Sequence, residues 1–134
     1  MKLTLRYLRV FALDWERLTD FYESAVGLPV RYKNSDMGWA EFDVGEASLA
    51  VERVRPEDAE AEALTRRFLG VSLTVDDIQS AYATLRDRNV HFLAPPAQQP
   101  WGGWLAHFQD PEGNVLTLLG TADQAGADGT NTHG

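Results

Sequence analysis

The chain has 134 residues, of which 44% are hydrophobic and 24% charged, so it can bury the core of one globular domain. Its formal net charge of -8 argues against nucleic acid and anionic membranes as partners, because both require a basic surface. The lack of cysteine excludes disulfides and thiolate chemistry. No apolar run is long enough to indicate a signal peptide or a membrane span. We therefore expect a cytoplasmic protein that binds a neutral or cationic small molecule.

The first half of the chain predicts a strand, a helix and three further strands. An alternating strand at Leu3 to Phe11 leads to Asp14, whose carboxylate can cap a helix. The helix presents apolar residues at helical spacing and stops at Gly27. The three strands that follow are predicted at Val30 to Lys33, Trp39 to Val44 and Ala47 to Val54.

The second half repeats this order. A strand at Leu69 to Val75 precedes a helix that is capped by Asp76 or Asp77. Phe42 corresponds to Phe108, and the repeat period is about 63 to 67 residues. Three strands again follow the helix, near His91 to Leu93, Trp104 to Gln109 and Asn114 to Leu119.

This repetition predicts an α+β fold made of two βαβββ modules in a single domain over residues 1–120. The modules occupy residues 1–55 and 68–120. The charged segment 56–67 contains helix formers and predicts a linker helix. The tail 121–134 is almost free of apolar residues and is predicted to be disordered.

Strand alternation predicts which side chains each sheet turns away from its helix. Because neighbouring residues of a strand point to opposite faces, the residues between the core positions form a second, concave face. Two such sheets facing each other would enclose a cleft, and its polar lining is typical of a binding cavity. The candidate ligand-binding residues are Tyr7, Arg9, Trp39, Glu41, Ala50, Glu52, Gly70, Ser72, Thr74, His107 and Thr117, with Leu105 beside them and Trp101 in the loop at 94–103.

Three stretches in this order carry a family resemblance: ALDWERLTDFYESAVGL, LTVDDIQSAYATLRDRNV and PWGGWLAHFQDPEGNVLTLL. They resemble the vicinal-oxygen-chelate superfamily, which contains glyoxalase I, extradiol dioxygenases and bleomycin-resistance proteins. The resemblance covers residues 2 to about 120 and implies two βαβββ modules that pair into a curved sheet with a cleft. Since one fold hosts several chemistries, it does not specify the activity.

The resemblance implies four metal-ligand positions, usually His or Glu, on the first and last strands of each module. In this sequence they fall on Tyr7, Ala50, Gly70 and Thr117. Alanine and glycine side chains have no donor atom, and neutral hydroxyls are poor ligands for divalent ions. The sequence therefore predicts no metal at these positions and no other cofactor.

A displaced metal site remains an alternative, because Glu41, Glu52 and His107 share the predicted face and could hold an ion. In the competing interpretation Glu41 pairs with Arg9, Glu52 lies in solvent near a strand end, and His107 hydrogen-bonds a neighbour. We favour the second interpretation because the spacing of the three residues matches no known ligand pattern.

Without a metal, the predicted cleft recognises its ligand by aromatic rings, shape and charge. Trp39 and Trp101 are the favoured ring contacts, whereas Trp104 shares strand parity with Phe108 and fits either the core or the cleft. The resemblance implies a homodimeric protein that sequesters an aromatic or cationic ligand without chemistry, as bleomycin-resistance proteins do. The alternative is a glyoxalase-like enzyme. It would be a metal-independent isomerase or epimerase with His107 as general acid or base, or a metal-dependent lyase or dioxygenase with the displaced site.

Overall fold

The computed structural model describes residues 1–121, which divide into two compact units. The first unit is Met1–Arg67 together with Pro111–Asn114, and the second is residues 68–110 together with the chain from Val115 onward. Each unit contains one sheet and a helix that packs on it. The α+β class is therefore confirmed, as is the strand, helix and strands order of both halves. The predicted disordered tail lies outside the described residues, except for Thr121.

The first unit holds a four-stranded sheet. Its strands are β1 (Tyr7–Ala12), β2 (Val30–Asn34), β3 (Trp39–Asp43) and β4 (Ser48–Arg53). Their order is β1-β4-β3-β2, in which β1 runs parallel to β4 and the other pairs are antiparallel. The strand predicted from Leu3 begins only at Tyr7.

Helix α1 (Trp15–Asp20) continues as a π-helical turn over Phe21–Ala25 and covers one face of this sheet. Asp14 caps α1 as predicted, since its carboxylate accepts a hydrogen bond from the backbone N–H of Arg17 at 3.2 Å. The buried indole of Trp15 donates to the carbonyl oxygen of Val51 at 3.1 Å, which ties the helix to β4. The helix-facing side of the sheet is therefore the core of this unit.

The second unit holds a five-stranded sheet that includes one strand missed by the sequence analysis. The strands are β5 (Phe68–Thr74), β6 (His91–Phe92), β7 (Ala97–Gln98), β8 (Trp104–Gln109) and β9 (Val115–Gly120). The main order is β5-β9-β8-β6, and β7 pairs with β8. The segment predicted as a long loop at 94–103 therefore forms part of a short hairpin.

Helix α3 (Ile78–Asp87) packs on the second sheet through aromatic contacts. Tyr82 lies with its ring centroid 4.8 Å from that of Phe92, which in turn lies 5.7 Å from Phe108. Trp104 lies four residues before Phe108 on β8, so strand alternation gives it the parity of Phe108 on the helix side. Trp104 itself is half-buried, so the choice between core and cleft stays a prediction.

The linker between the two sheets is less helical than predicted. Helix α2 covers only Ala61–Leu64 within the predicted span 56–67. The residues before it form a turn, because the Asp58 carboxylate accepts from the backbone N–H of Arg55 at 2.8 Å. Arg66, just beyond the helix, has a positive φ of 58°, which a helix cannot accommodate. No helix in residues 1–121 is both long enough and apolar enough to cross a membrane.

The cap of α3 provides a test of this fold. Asp77 accepts a hydrogen bond from the backbone N–H of Ser80 at 3.1 Å. Asp77→Ala should lower the free energy of unfolding by about 1 kcal/mol, because that N–H loses its acceptor. Urea denaturation would measure the change, and Asp77→Asn, which keeps a side-chain oxygen, should stay within about 0.5 kcal/mol of the wild type. Equal losses in the two variants would contradict the cap.

Candidate functional site

Strand pairing places the candidate residues of the first module on the sheet face opposite α1. Ala50 on β4 lies between Arg9 on β1 and Glu41 on β3, and Glu52 pairs with Trp39. Because the register is continuous across the three strands, their side chains share one face. We call this surface the first polar face; it carries Tyr7, Arg9, Trp39, Glu41, Ala50 and Glu52.

Glu41 holds two aromatic side chains on the first polar face. Its Oε2 atom accepts hydrogen bonds from the indole Nε1 of Trp39 at 2.7 Å and from the hydroxyl of Tyr7 at 3.2 Å. The two rings lie edge to face, with centroids 5.2 Å apart and an interplanar angle of 85°. All three side chains are half-buried. A single carboxylate oxygen therefore fixes both rings, and this shared acceptor gives the cluster its geometry.

A positive charge already lies beside this cluster. The Arg6 guanidinium lies 5.2 Å from the centroid of the Tyr7 ring, within the range of a cation–π contact. Hydrogen bonding to Tyr7 is the main cause of a raised pKa at Arg6, and the charge of Glu41 contributes to it. Within residues 1–121 no hydrogen-bond partner is found for the second carboxylate oxygen of Glu41. One cation thus lies at the edge of the cluster, and one carboxylate oxygen of Glu41 keeps its acceptor capacity.

The ion pair on this face differs from the expected one. Arg9 pairs with Glu52 at 3.0 Å, so it does not pair with Glu41, and Glu52 is not isolated in solvent. The reason is local. Ala50 lies between Arg9 and Glu41 in the strand register, and its small side chain leaves the diagonal path from Arg9 to Glu52 unobstructed.

The sequence analysis also missed an arginine next to this face. The guanidinium of Arg67 lies 5.6 Å from the ring centroid of Phe11, and that of Arg9 lies 5.3 Å from it. Phe11 has the strand parity of Tyr7 and Arg9, which was the available signal for its position. Arg67 comes from the linker and follows no strand or helix periodicity, so its sequence position carried no such signal.

In the second unit, His107 and Thr117 pair across β8 and β9, and Ser72 on β5 pairs with Thr117 from the other side. The Nδ1 atom of His107 lies 2.7 Å from the hydroxyl oxygen of the buried Thr117. The exposed ring of Phe68, which the sequence analysis did not select, lies 5.7 Å from the imidazole centroid. The partner of His107 is therefore the hydroxyl group of a residue on the neighbouring strand. We call the surface that carries Ser72, Thr74, Leu105, His107 and Thr117 the second polar face.

The four positions that the resemblance assigns to metal ligands do not fit a metal. In the first unit, the Tyr7 hydroxyl donates to Glu41, and Ala50 offers no donor atom. In the second unit, Thr117 is engaged with His107, and Gly70 has a positive φ of 67° at an irregularity in the β5 pairing. Nor do three or more His, Cys, Asp or Glu side chains form a possible metal-binding group anywhere in residues 1–121. Each member of the displaced set has another partner: Glu41 accepts from Trp39 and Tyr7, Glu52 pairs with Arg9, and His107 contacts Thr117.

Comparison with known proteins identifies a family. The model of the glyoxalase/bleomycin resistance protein/dioxygenase superfamily matches residues 4–118. The uncharacterized protein YraH of Bacillus subtilis (strain 168) is 25% identical over 122 residues, which cover 85% of this chain and 95% of YraH.

Two solved structures are similar over most of their length. A member of the same superfamily from Sphaerobacter thermophilus DSM 20745 is 27% identical with a TM-score of 0.75, and the match covers 88% of this chain and 97% of that one. TnmS3, an antibiotic binding protein from Streptomyces sp. CB03234, is 27% identical with a TM-score of 0.70, and the match covers 87% of this chain and 94% of that one.

Substitution of Glu41 tests the shared-acceptor geometry. Glu41→Leu should lower the free energy of unfolding by about 1–3 kcal/mol, because the half-buried Trp39 and Tyr7 donors lose their acceptor. Glu52→Leu is the matched control, because it removes only an ion pair whose side chains are 53% and 34% exposed. It should cost less than about 1 kcal/mol. Urea denaturation measures both, and a larger loss in Glu52→Leu would contradict the structure of the cluster.

Proposed function

Because the chain belongs to the glyoxalase/bleomycin resistance protein/dioxygenase superfamily, we propose that it is a metal-independent binding protein that sequesters an aromatic or cationic small molecule. The observation that carries the proposal is the carboxylate of Glu41, which accepts hydrogen bonds from Tyr7 and Trp39 while their rings lie edge to face. The similarity to TnmS3, an antibiotic binding protein, supports a binding role over a catalytic one. We infer that the ligand binds on the first polar face.

The chemistry of the first polar face favours an organic cation with a flat ring system. A half-buried carboxylate attracts a positive charge more strongly than one in bulk water, and aromatic faces add about 0.5–2 kcal/mol of cation–π attraction. The two rings are already fixed by their hydrogen bonds, so little side-chain freedom is lost when a ligand binds. The net charge of -8 also favours cationic ligands over anionic ones.

The position of Arg6 supports the same ligand class. This exposed residue puts a guanidinium 5.2 Å from the Tyr7 ring, where the charged group of a ligand would be attracted. A ligand cation would compete with Arg6 for this ring and for the charge of Glu41. We therefore infer that Arg6 weakens the binding of cations and is displaced when one binds.

A second candidate function is a metal-independent isomerase or epimerase that uses His107. The observation in its favour is the short contact of 2.7 Å between His107 and Thr117, which orients the imidazole. A general base is usually made more basic by a carboxylate partner, whereas a threonine hydroxyl is uncharged. The partner of His107 therefore favours binding over proton transfer, and we rank catalysis second.

Titration with proflavine, a planar tricyclic cation, tests the proposed function. Glu41→Gln should weaken proflavine binding about tenfold, because the charge beside the two rings is lost. Arg6→Ala should tighten binding severalfold, because the competing guanidinium is removed. Arg17→Ala is the matched control for Arg6→Ala, because it removes the same positive charge from an exposed position on α1. Fluorescence anisotropy measures the four affinities, and equal affinity in Glu41→Gln and the wild type would refute the proposal.

The same samples separate binding from catalysis. Ligand recovered unchanged by mass spectrometry after long incubation supports sequestration. Conversion of the ligand that is lost in His107→Ala would instead support the enzyme.

We further propose that the protein forms a homodimer. Leu3 and Leu5 are 84% and 73% exposed and alternate with polar residues ahead of β1, so they present an apolar edge to a second copy. Light scattering should give twice the chain mass of 14.9 kDa, and the double variant Leu3→Asp/Leu5→Asp should give the chain mass itself. A wild-type protein of single-chain mass at micromolar concentration would contradict the dimer.

A further inference from the structure

Arg67 is a half-buried arginine without a carboxylate partner. Of the arginines in residues 1–121, only Arg53 and Arg67 are half-buried, and the others are exposed. The guanidinium of Arg53 lies 3.6 Å from the carboxylate of Glu16, whereas Arg67 forms no ion pair with any carboxylate in this part of the chain. A charge that is partly removed from water is unfavourable unless an opposite charge neutralises it. The described residues do not supply that opposite charge to Arg67.

Most N–H groups of this guanidinium are also unused. A guanidinium carries several N–H donors in a planar fork that matches the two oxygens of a carboxylate. Between Met1 and Thr121 the Arg67 side chain makes one hydrogen bond, a long one of 3.4 Å from Nη2 to the carbonyl oxygen of Arg9. Its Nε atom is buried and has no acceptor there. Hydrogen bonding and charge therefore both indicate an anion as the missing partner.

Two contacts hold Arg67 at the β1 edge of the first polar face. Its backbone N–H donates to the side-chain oxygen of the buried Asn114 at 3.0 Å. Its guanidinium lies 5.6 Å from the ring centroid of Phe11, and the guanidinium of Arg9 lies 5.3 Å from the same centroid. Two guanidinium groups thus share one ring, close enough together to contact a single carboxylate.

The charges on this face are separated. Arg9 and Arg67 together carry one positive charge more than Glu52, the carboxylate that pairs with Arg9, although the whole chain has a net charge of -8. Ala50 on β4 lies between Arg9 on β1 and Glu41 on β3. Because neighbouring strands are about 4.8 Å apart, the backbones at Arg9 and Glu41 lie about 10 Å apart. The face therefore has a cationic edge and, two strands away, the carboxylate that shares its oxygen with two rings.

We propose that Arg67, with Arg9 beside it, binds a carboxylate group of the ligand. The ligand class then narrows from aromatic cations to aromatic zwitterions, which carry a cationic ring system and a carboxylate. This inference rests on the proposed function, because the cationic ring is assigned to the cluster around Glu41. Arg67 supplies a second point of recognition, and the ligand supplies the counterion that the described chain does not provide.

Rhodamine 110 and its methyl ester, rhodamine 123, are the matched probes. They share one planar cationic ring system, and only rhodamine 110 has a free carboxylate. The wild type should bind rhodamine 110 about tenfold more tightly, as expected for a charge-assisted contact between carboxylate and guanidinium. The net charge of the protein would by itself favour the positively charged ester, so a preference for the acid requires a local anion site. Fluorescence anisotropy measures both affinities.

Substitution of Arg67 tests which residue causes the preference. Arg67→Gln should weaken rhodamine 110 about tenfold and leave rhodamine 123 within about twofold of the wild type. Arg55→Gln is the matched control, because it removes the same charge from an exposed position of the first unit, and it should keep the preference. A loss of folded protein would weaken both dyes equally, so the ratio of the two affinities separates a contact with the carboxylate from a structural role.

Arg67→Lys serves if Arg67→Gln does not fold. It keeps the positive charge but lacks the planar fork, so it should also lose most of the preference for rhodamine 110.

The outcomes distinguish this inference from the proposed function. The carboxylate site is overturned if the wild type does not bind rhodamine 110 more tightly than rhodamine 123, or if the preference persists in the Arg67 variants. Neither result affects the titration with proflavine, which has no carboxylate. Proflavine binding that is insensitive to Glu41→Gln overturns the proposed function instead, and it leaves an Arg67-dependent preference for rhodamine 110 in place.

Discussion

Within residues 1–121 one long helix packs on the sheet of each unit, and one helix can cover only one face of a sheet. This constraint determines which face of each sheet becomes core and which face carries polar side chains. In the first unit α1 takes the face of Val51 and Phe42, and it leaves the opposite face to polar and aromatic side chains. Those side chains must satisfy each other, and they do so through the shared acceptor Glu41 and the ion pair between Arg9 and Glu52. The candidate site of this unit therefore lies on the sheet face that the helix leaves uncovered.

Much of this arrangement follows from the sequence, because alternation and helix caps are local signals. Except for β7, the strands of both modules could be predicted, as could the cap at Asp14 and the shared parity of Tyr7 and Glu41. The second cap is narrowed by the sequence to Asp76 or Asp77, and the structure selects Asp77. The partners of the charged side chains could not be predicted. The partner of Arg9 depends on diagonal distances across strands and on the donors that compete for Glu41. Neither of these can be read from the order of residues.

This chain has the fold of the superfamily, but its residues at the four ligand positions do not fit a metal. The strands that would carry metal ligands are present in both units, but two of the four positions lack donor atoms and the other two are hydrogen-bonded to neighbours. Trp39 of the ring pair lies on β3, and His107 lies on β8, which is the corresponding strand of the repeat. In the proposed function, recognition by rings and charge uses the faces on which the resemblance places the metal ligands.

The turn Pro111–Asn114 joins two strands of the second sheet, yet it belongs to the first unit. Its Glu112 carboxylate accepts from the backbone N–H of Asp14 at 2.9 Å, and its Asn114 side chain accepts from that of Arg67 at 3.0 Å. The first contact spans 98 positions of the chain. A fragment that ends at Arg67 would lack both acceptors, so cutting the protein between its repeats does not yield two complete halves. Segments from both repeats contribute to the first unit. We therefore expect the protein to unfold in one cooperative step and not as two modules that melt independently.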